Sequence, residues 1–377
     1  MNWLQWAVLG ICGLAAGYQL FALLACLNHL LRRRSSDVPF QPPVSILKPV
    51  RGLHPGFDEA LRSHAEQDYP EFELLVGHRN PGDSAIPAIE HAIARYSGVV
   101  IRDVVCPAVV PNGKVGVLLG LAEQARHAVW IVNDADIAVP PGYIQAVTQP
   151  LADPSVGLVT CLYRAEGESW PARFEALGVA ADFAPSALVA PFAGVSEFGF
   201  GSTLAFRRAD LERIGGFRAL ADFLADDYQL GAKIHQLGFR NIISHVVVQT
   251  RLYDSTWGDI WRHQLRWART VRLSRRDGYI GLPLTFATLW VILAAACGFW
   301  WVAFGLLAVR LAMALTAGWF VLGSRDVPRF LWAVPLRDLY GVAVWAAGLF
   351  GDTVEWGGES LRLDSQGRIL KREPMQP

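Results

Sequence analysis

Val129-Trp130-Ile131-Val132-Asn133-Asp134-Ala135-Asp136 is the stretch on which the reading of this chain turns. Its first four residues are apolar and lead directly into two carboxylates spaced i, i+2. A buried strand with that ending delivers both acidic side chains to one face at the rim of a sheet. Hard carboxylate oxygens so placed suit Mg²⁺ or Mn²⁺, which keeps positions free for the oxygens of a diphosphate. Such a pair can hold a nucleotide-sugar donor. Asp-x-Asp also occurs in surface turns, so its meaning depends on what surrounds it.

The surroundings alternate between strand-like and helix-like patterns. Residues 44–47 read as a strand ended by Lys48-Pro49, 59–67 as a helix, and 72–76 and 99–105 as strands. Residues 115–127 read as a helix with Val117, Leu118, Leu121 and Ala125 on its apolar side. This alternation predicts an α/β fold with a largely parallel sheet. Ligands bind such sheets at the carboxyl ends of the strands, where Asp134 and Asp136 lie. Further on, 199–206 reads as a glycine-opened loop feeding a strand, and 209–214 as a short helix stopped at Gly215-Gly216. Leu230, Ile234 and Leu237 then recur at helical spacing before Gly238, which puts Asp226 and Asp227 in the first turn of a helix. The helix dipole favours ionised carboxylates there, whether they act or only cap.

The 34 basic and 34 acidic residues cancel, so no global field argues for nucleic acid as a partner. Fourteen tryptophans and 52% hydrophobic residues are high for a soluble chain, and the excess sits at the two ends. Residues 3–31 carry no charge and are long enough to cross a bilayer, which takes ~20 residues. Arg32-Arg33-Arg34 follow, the reverse of the order in a cleaved signal peptide. By the positive-inside rule the N-terminus faces out and the next domain is cytosolic, as in a bacterial inner-membrane protein. Residues 280–322, interrupted by Arg310, predict a pair of spans. Residues 331–350, with Arg337 and Asp338, read as a further span or as a re-entrant or interfacial helix. Three or four spans are too few to build a transport pore. Five scattered cysteines fit reduced, packing thiols.

In 256–276, Trp257, Trp261, Leu265, Ala268 and Val271 fall on one side of a helix. Arg262, Arg266, Arg269, Arg272 and Arg276 form the adjoining stripe. That pattern suits a membrane surface, or a helix packed by its Trp side on the sheet. Residues 183–192 read as a lid or groove for a lipid chain, or as a buried loop. The expected organisation is an anchor over 1–34, a catalytic domain over 39–255, an interfacial helix over 256–277, membrane helices over 280–352 and a cytosolic tail over 353–377.

Taken in order, several short motifs resemble the ceramide glucosyltransferase family, membrane-anchored processors of nucleotide sugars with a GT-A (Rossmann-like) catalytic domain. They are Val44-Ser45-Ile46-Leu47-Lys48-Pro49-Val50-Arg51-Gly52, Gln67-Asp68-Tyr69-Pro70 and Asn112-Gly113-Lys114, followed by Asp134-Ala135-Asp136 and Gly201-Ser202. Ile214-Gly215-Gly216-Phe217, Asp226-Asp227-Tyr228 and Arg266-Trp267 complete the series. The resemblance implies that Asp134 and Asp136 hold a divalent cation, Mg²⁺ or Mn²⁺, and the UDP pyrophosphate. It implies that Lys48, Pro49 and Lys114 border the donor, and that Asp227 is the general base for the acceptor hydroxyl. Arg266-Trp267 would end a Q/R-x-x-R-W motif near acceptor and diphosphate. In this chain the first position of that motif is His263, with Gln264 beside it, and the family's first, nucleotide-binding aspartate falls at Asn80, with Asp83 three residues on. The activity implied is inverting transfer of one sugar from a UDP-sugar to a hydroxyl of a membrane lipid. Ceramide is the default acceptor. A hopanoid polyol receiving N-acetylglucosamine is the alternative, since bacterial hopanoid glycosyltransferases resemble the family too. A processive polysaccharide synthase and a non-catalytic membrane nucleotide sensor are the rivals from other classes.

Overall fold

The structure, a computed structural model, describes residues 2–32, 40–253 and 255–374. Arg33 and Arg34 of the basic cluster, and residues 375–377 of the tail, lie outside the described residues. Seven strands form one sheet: β1 (Val44–Pro49), β2 (Phe72–His78), β3 (Val100–Val105), β4 (Val129–Val132), β5 (Val156–Gly167), β6 (Leu204–Arg207) and β7 (Arg240–Leu252). Their order is β3-β2-β1-β4-β6-β5-β7. β1 pairs in parallel with β2 and β4, β2 with β3, and β5 with β7, while β6 runs antiparallel to both its neighbours. The expected α/β sheet, mostly parallel, is present.

Successive residues of β1 face opposite sides of the sheet. Ile46 joins a core with Leu74, Ile131 and the helix Phe57–Ala65, and Leu47 joins another with Leu75, Val132 and the helix Gly113–Gln124. Burial on both faces explains why the short β4 reads as a continuous apolar run, while β1 and β2 also bury Ser45, Lys48 and Glu73. The second helix lies so close that a Cβ on Gly77 would come within 2.7 Å of Leu121. The β1–β4 register pairs Leu47 with Val132, which sets Lys48 beside the start of Asn133-Asp134. The antiparallel β4–β6 register pairs Val132 with Leu204. That reversal carries Gly201 and Ser202, just before β6, back to the residues just after β4.

Among the described residues two helices, Trp3–Leu31 and Trp300–Val321, are long and apolar enough to cross a membrane, and a pair bent by 49° (Arg276–Thr285 with Ala287–Ala296) makes a third if counted as one span. The helix Val334–Gly348 is not among them. Its Arg337 and Asp338 point inward: Asp338 pairs with Arg310 at 2.6 Å, Arg310 with Asp182 at 2.7 Å, and Asp182 with Arg337 at 3.0 Å. Each charge in this buried chain has a partner, and removal of any one strands another. Residues 183–192 are helical rather than a loop. A π-helical turn, Val179–Phe183, runs into the helix Ala184–Phe192, whose Ala184, Ala187 and Leu188 pack with Ala22, Ala25 and Cys26 of the first helix.

The segment expected as a tail is folded as well. β8 (Thr353–Trp356), β9 (Glu359–Leu363) and β10 (Ile369–Pro374) make a three-stranded antiparallel sheet that packs on Leu224.

Candidate active site

Gly201 joins two acidic segments of the chain. Its carbonyl accepts from the Asp134 N–H at 3.1 Å, and its own N–H donates to Asp227 Oδ2 at 2.9 Å. A Cβ on residue 201 would sit 2.6 Å from Asp134 Oδ2, so only glycine lets the aspartate lie against this backbone. The antiparallel β6 thus brings the carboxylate after β4 and the carboxylate in the first turn of the helix Asp226–Gln236 to one residue.

Lys114 occupies the same space. Asn112 caps the helix Gly113–Gln124, accepting from the N–H groups of Lys114 and Val115 at 3.0 and 3.2 Å. The Lys114 ammonium pairs with Asp134 at 2.7 Å and with Asp226 at 3.4 Å. Burial works against its charge, but Asp134, Asp226 and Asp227 together prevail and raise its pKa. Asp227 lies in a desolvated position beside the like charge of Asp226, which lifts its carboxyl to about 6 despite Lys114. Arg266 faces the cluster from the helix Trp257–Ser274: burial lowers its pKa, while Asp134, Asp227, Glu175 and Tyr163 pull it upward. Among the described residues no protein acceptor is bonded to the Arg266 guanidinium, so its fork of donors is open.

Asp136 accepts a hydrogen bond from the Thr250 hydroxyl of β7. Partial desolvation raises the Asp134 pKa; Lys114 opposes this, and the like charge of Asp136 adds to it. Asp134, Asp226 and Asp227 thus face Lys114, Arg266 faces Asp134 and Asp227, and Asp136 adds its charge beside Asp134 and the buried Lys48. Among the described residues no cluster of three or more His, Cys, Asp or Glu side chains forms a closed metal site. An Asp134/Asp136 pair that leaves most of the coordination sphere to the ligand fits a divalent cation shared with a diphosphate.

The other expected site residues have further partners. Lys48 is wholly buried and donates to the carbonyls of Asp134 at 2.9 Å and Ile137 at 3.2 Å; burial pulls its pKa to about 8, against Asp136 and Asp134. It fixes the Asp-x-Asp turn from behind rather than bordering a donor, and Pro49 is buried in β1 beside it. Asn80 is exposed and accepts from the Gly82 N–H at 3.0 Å. Asp83 accepts from the N–H of Gly52 at 3.0 Å and of Ala85 at 2.9 Å, which ties the β1 and β2 loops together. His263 turns to Glu175, which also accepts from Gln264 at 3.1 Å, and Gln264 accepts from Arg337 at 2.9 Å. His263 and Trp267 make an edge contact at 4.8 Å, and Trp267 meets Phe183 at 6.2 Å.

A family model for glycosyl transferase family 21 matches residues 9–369. The chain belongs to glycosyl transferase family 21. Ceramide glucosyltransferase 1 of Caenorhabditis elegans is 25% identical to this family-21 chain over 256 residues, 65% of the chain and 55% of the relative. Ceramide glucosyltransferase of Komagataella phaffii is 32% identical over 90 residues, 24% of the chain and 17% of the relative. The chain thus spans about half the length, or less, of these curated relatives. Among solved structures, the mannosyltransferase from Pyrobaculum calidifontis in complex with GDP-Man and Mn²⁺ superposes with a TM-score of 0.58 at 20% identity, covering 92% of this chain and 96% of that one. The fold of the family-21 chain is of GT-A type, preceded by an apolar helix long enough to span a membrane.

Several residues that shape this family-21 site carry no local signal. Glu175 holds His263 and Gln264; burial opposes its charge, but His263, then Gln264 and Arg337, keep its carboxyl below the usual range. Tyr163 lies among Glu175, Asp136, Asp134 and Arg266, and burial with the three carboxylates keeps its phenol protonated. Asn133 bonds Tyr143, Ser202 and His64 beneath the turn.

Proposed function

We propose that this chain moves one sugar from a UDP-sugar to a hydroxyl of a membrane lipid, as a ceramide glucosyltransferase does. The observation that carries the reading is the junction at Gly201, which binds the Asp134 backbone on one side and the Asp227 carboxylate on the other. A donor seated against Asp134, Asp136 and Lys114 would present its anomeric carbon toward Asp227.

Asp227, with a pKa of about 6, is ionised at neutral pH and still basic enough to receive a proton. It takes the proton of the acceptor hydroxyl as that oxygen bonds to the anomeric carbon. The bond from that carbon to the UDP oxygen breaks on the opposite side, so an α-linked donor gives a β-glycoside and UDP leaves with the bonding electrons. Lys114 and the open fork of Arg266 receive the charge that collects on the departing diphosphate. Asp134 and Asp136 would hold Mg²⁺ or Mn²⁺, which supplies further neutralisation of the leaving group when bound.

The lipid acceptor follows from placement. The catalytic sheet is joined at both ends to apolar helices, and the curated relatives act on ceramide by name. In this reading the chain is a multi-pass protein of a bacterial inner membrane with its sheet domain in the cytosol. The same reading puts the helix Trp257–Ser274 at the interface, which the 54% exposure of Trp257 supports. Three arginines of its basic stripe have protein partners: Arg262 with Asp259, Arg269 with the Phe350 and Thr353 carbonyls, and Arg272 with the Gly351 carbonyl.

Expression in a host without glycolipids, fed ceramide or a hopanoid and followed by lipid mass spectrometry, tests the proposal. The expected product carries one hexose or one N-acetylhexosamine per lipid. A ladder of sugars would instead mark a processive synthase, and donor binding with no glycolipid would mark a sensor.

A further inference from the structure

The last strand, β10, and the turn before it touch loops of the cleft that are remote from them in sequence. The Ile369 N–H donates to the Asp222 carbonyl at 2.7 Å, and the Leu224 N–H donates to the Gly367 carbonyl at 3.2 Å. That loop runs straight into Asp226 and Asp227. Arg372, on the same strand, donates from Nη1 to the Val110 carbonyl at 3.0 Å, on the loop that leads to the Asn112 cap and Lys114. The same guanidinium donates from Nε to Glu359 Oε2 at 2.8 Å, and the other oxygen of Glu359 pairs with Arg51, just beyond β1, at 3.3 Å.

The Lys114 and Asp227 loops also meet directly. The Asn112 N–H donates to the Ala221 carbonyl at 2.8 Å, and its side-chain amide donates to the Phe223 carbonyl at 2.7 Å. β10 binds the outer side of that junction, so each loop is held from two directions. An apolar cluster centred on Leu224 seats the sheet there, and a Cβ on Gly113 would lie 3.8 Å from Arg372 Nη2. A sheet that merely covered apolar surface would have no need of a guanidinium aimed at a loop carbonyl beside the cleft.

We infer that β10 is a positioning element of the transfer reaction: it staples the loop that leads to Lys114 to the loop that leads to Asp226 and Asp227, and Arg372 is the positioning residue. This rests on the functional reading above, because the separation of Lys114 and Asp227 matters to a rate only if they act on donor and acceptor. Small misplacements of reacting groups cost rate steeply, on the order of 10²-fold for 1 Å.

The test combines hydrogen exchange with kinetics on the full chain in lipid nanodiscs. In Arg372→Ala, protection of the Lys114, Val115, Gly201 and Tyr228 amides should fall about tenfold while β1, β2 and β4 stay protected. The maximal rate should drop roughly 10- to 100-fold with the acceptor KM little changed, and Arg372→Lys should recover part of both effects. Unchanged protection at those four amides overturns the inference whatever the activity. If Arg372→Ala loses protection throughout the sheet, Glu359→Gln decides: the same local loss, smaller in size, supports the staple, and its absence overturns it. Local loss in a protein whose wild type transfers no sugar leaves the coupling of the loops standing and removes the functional reading instead.

Discussion

Asp227→Asn is expected to lower the transfer rate by about 10²–10⁴-fold, the range of a lost general base, while UDP-sugar affinity changes little. The amide has nearly the carboxylate's shape: its oxygen can keep the Gly201 N–H that holds Asp227 at 2.9 Å, while its NH₂ gives up the bond that Asp227 Oδ1 accepts from the Tyr228 N–H at 2.8 Å. The capacity to take a proton disappears with it. The pH profile of the wild type gives the same residue a second signature. Desolvation and Asp226 raise the Asp227 pKa to about 6, so the working, ionised form is present above that pH and is lost below it. Activity should therefore fall as pH drops through about 6, with roughly tenfold loss per unit well below it, and the residual activity of Asp227→Asn should lack that limb. A variant that keeps near wild-type turnover would place the base elsewhere.

Asp134→Ala should be nearly as damaging by a different route. The side chain pairs with Lys114 at 2.7 Å, lies against Gly201, and with Asp136 forms the proposed cation pair. Its loss removes a cation ligand and leaves Lys114 with Asp226 at 3.4 Å. A fall in kcat/KM of roughly 10³-fold, about 4 kcal/mol, is the expected size for losing Lewis-acid neutralisation of the leaving group. Calorimetry separates this from general damage: UDP binding to the wild type should strengthen with Mn²⁺, and binding to Asp134→Ala should not respond. An undiminished Mn²⁺ response in the variant would remove Asp134 from the cation site.

How much of this was legible in the sequence depended on whether burial or a tertiary contact decides each residue's role. β1, β2 and β4 are buried on both faces, so the short apolar clusters Ile46-Leu47, Leu74-Leu75-Val76 and Val129-Trp130-Ile131-Val132 announce them. β5 and β7 escaped notice because they carry Thr160, Arg164 and Glu166, and Gln249 and Thr250, in extended backbone. Some of those polar residues reach the site, as Thr250 does to Asp136. The two lysines show the limit most clearly. Lys48 ends a strand and Lys114 opens a helix, and both motifs resemble the family's, yet one ammonium is used up on main-chain carbonyls and the other faces the cleft. Only the path of the Asp-x-Asp turn separates them. Likewise Asp83 sits at a strand end suited to a nucleotide but accepts from Gly52 and Ala85, contacts set by loop geometry. Glu175 looks like any carboxylate of a short helix until His263 and Gln264 arrive from the helix Trp257–Ser274. The C-terminal sheet was invisible for a related reason: its strands are only 4, 5 and 6 residues long and acquire a core only against Leu224.

The configuration of the new glycosidic bond tests most directly whether Asp227 serves a single displacement on a donor held at Asp134 and Asp136. Proton NMR of the first-formed glycolipid, made from a donor with an α-linked sugar, reports it through the coupling of the anomeric proton. A β-linked product is expected. An α-linked product would contradict a one-step transfer with Asp227 as base, because retention requires a second displacement or a different path at the anomeric carbon.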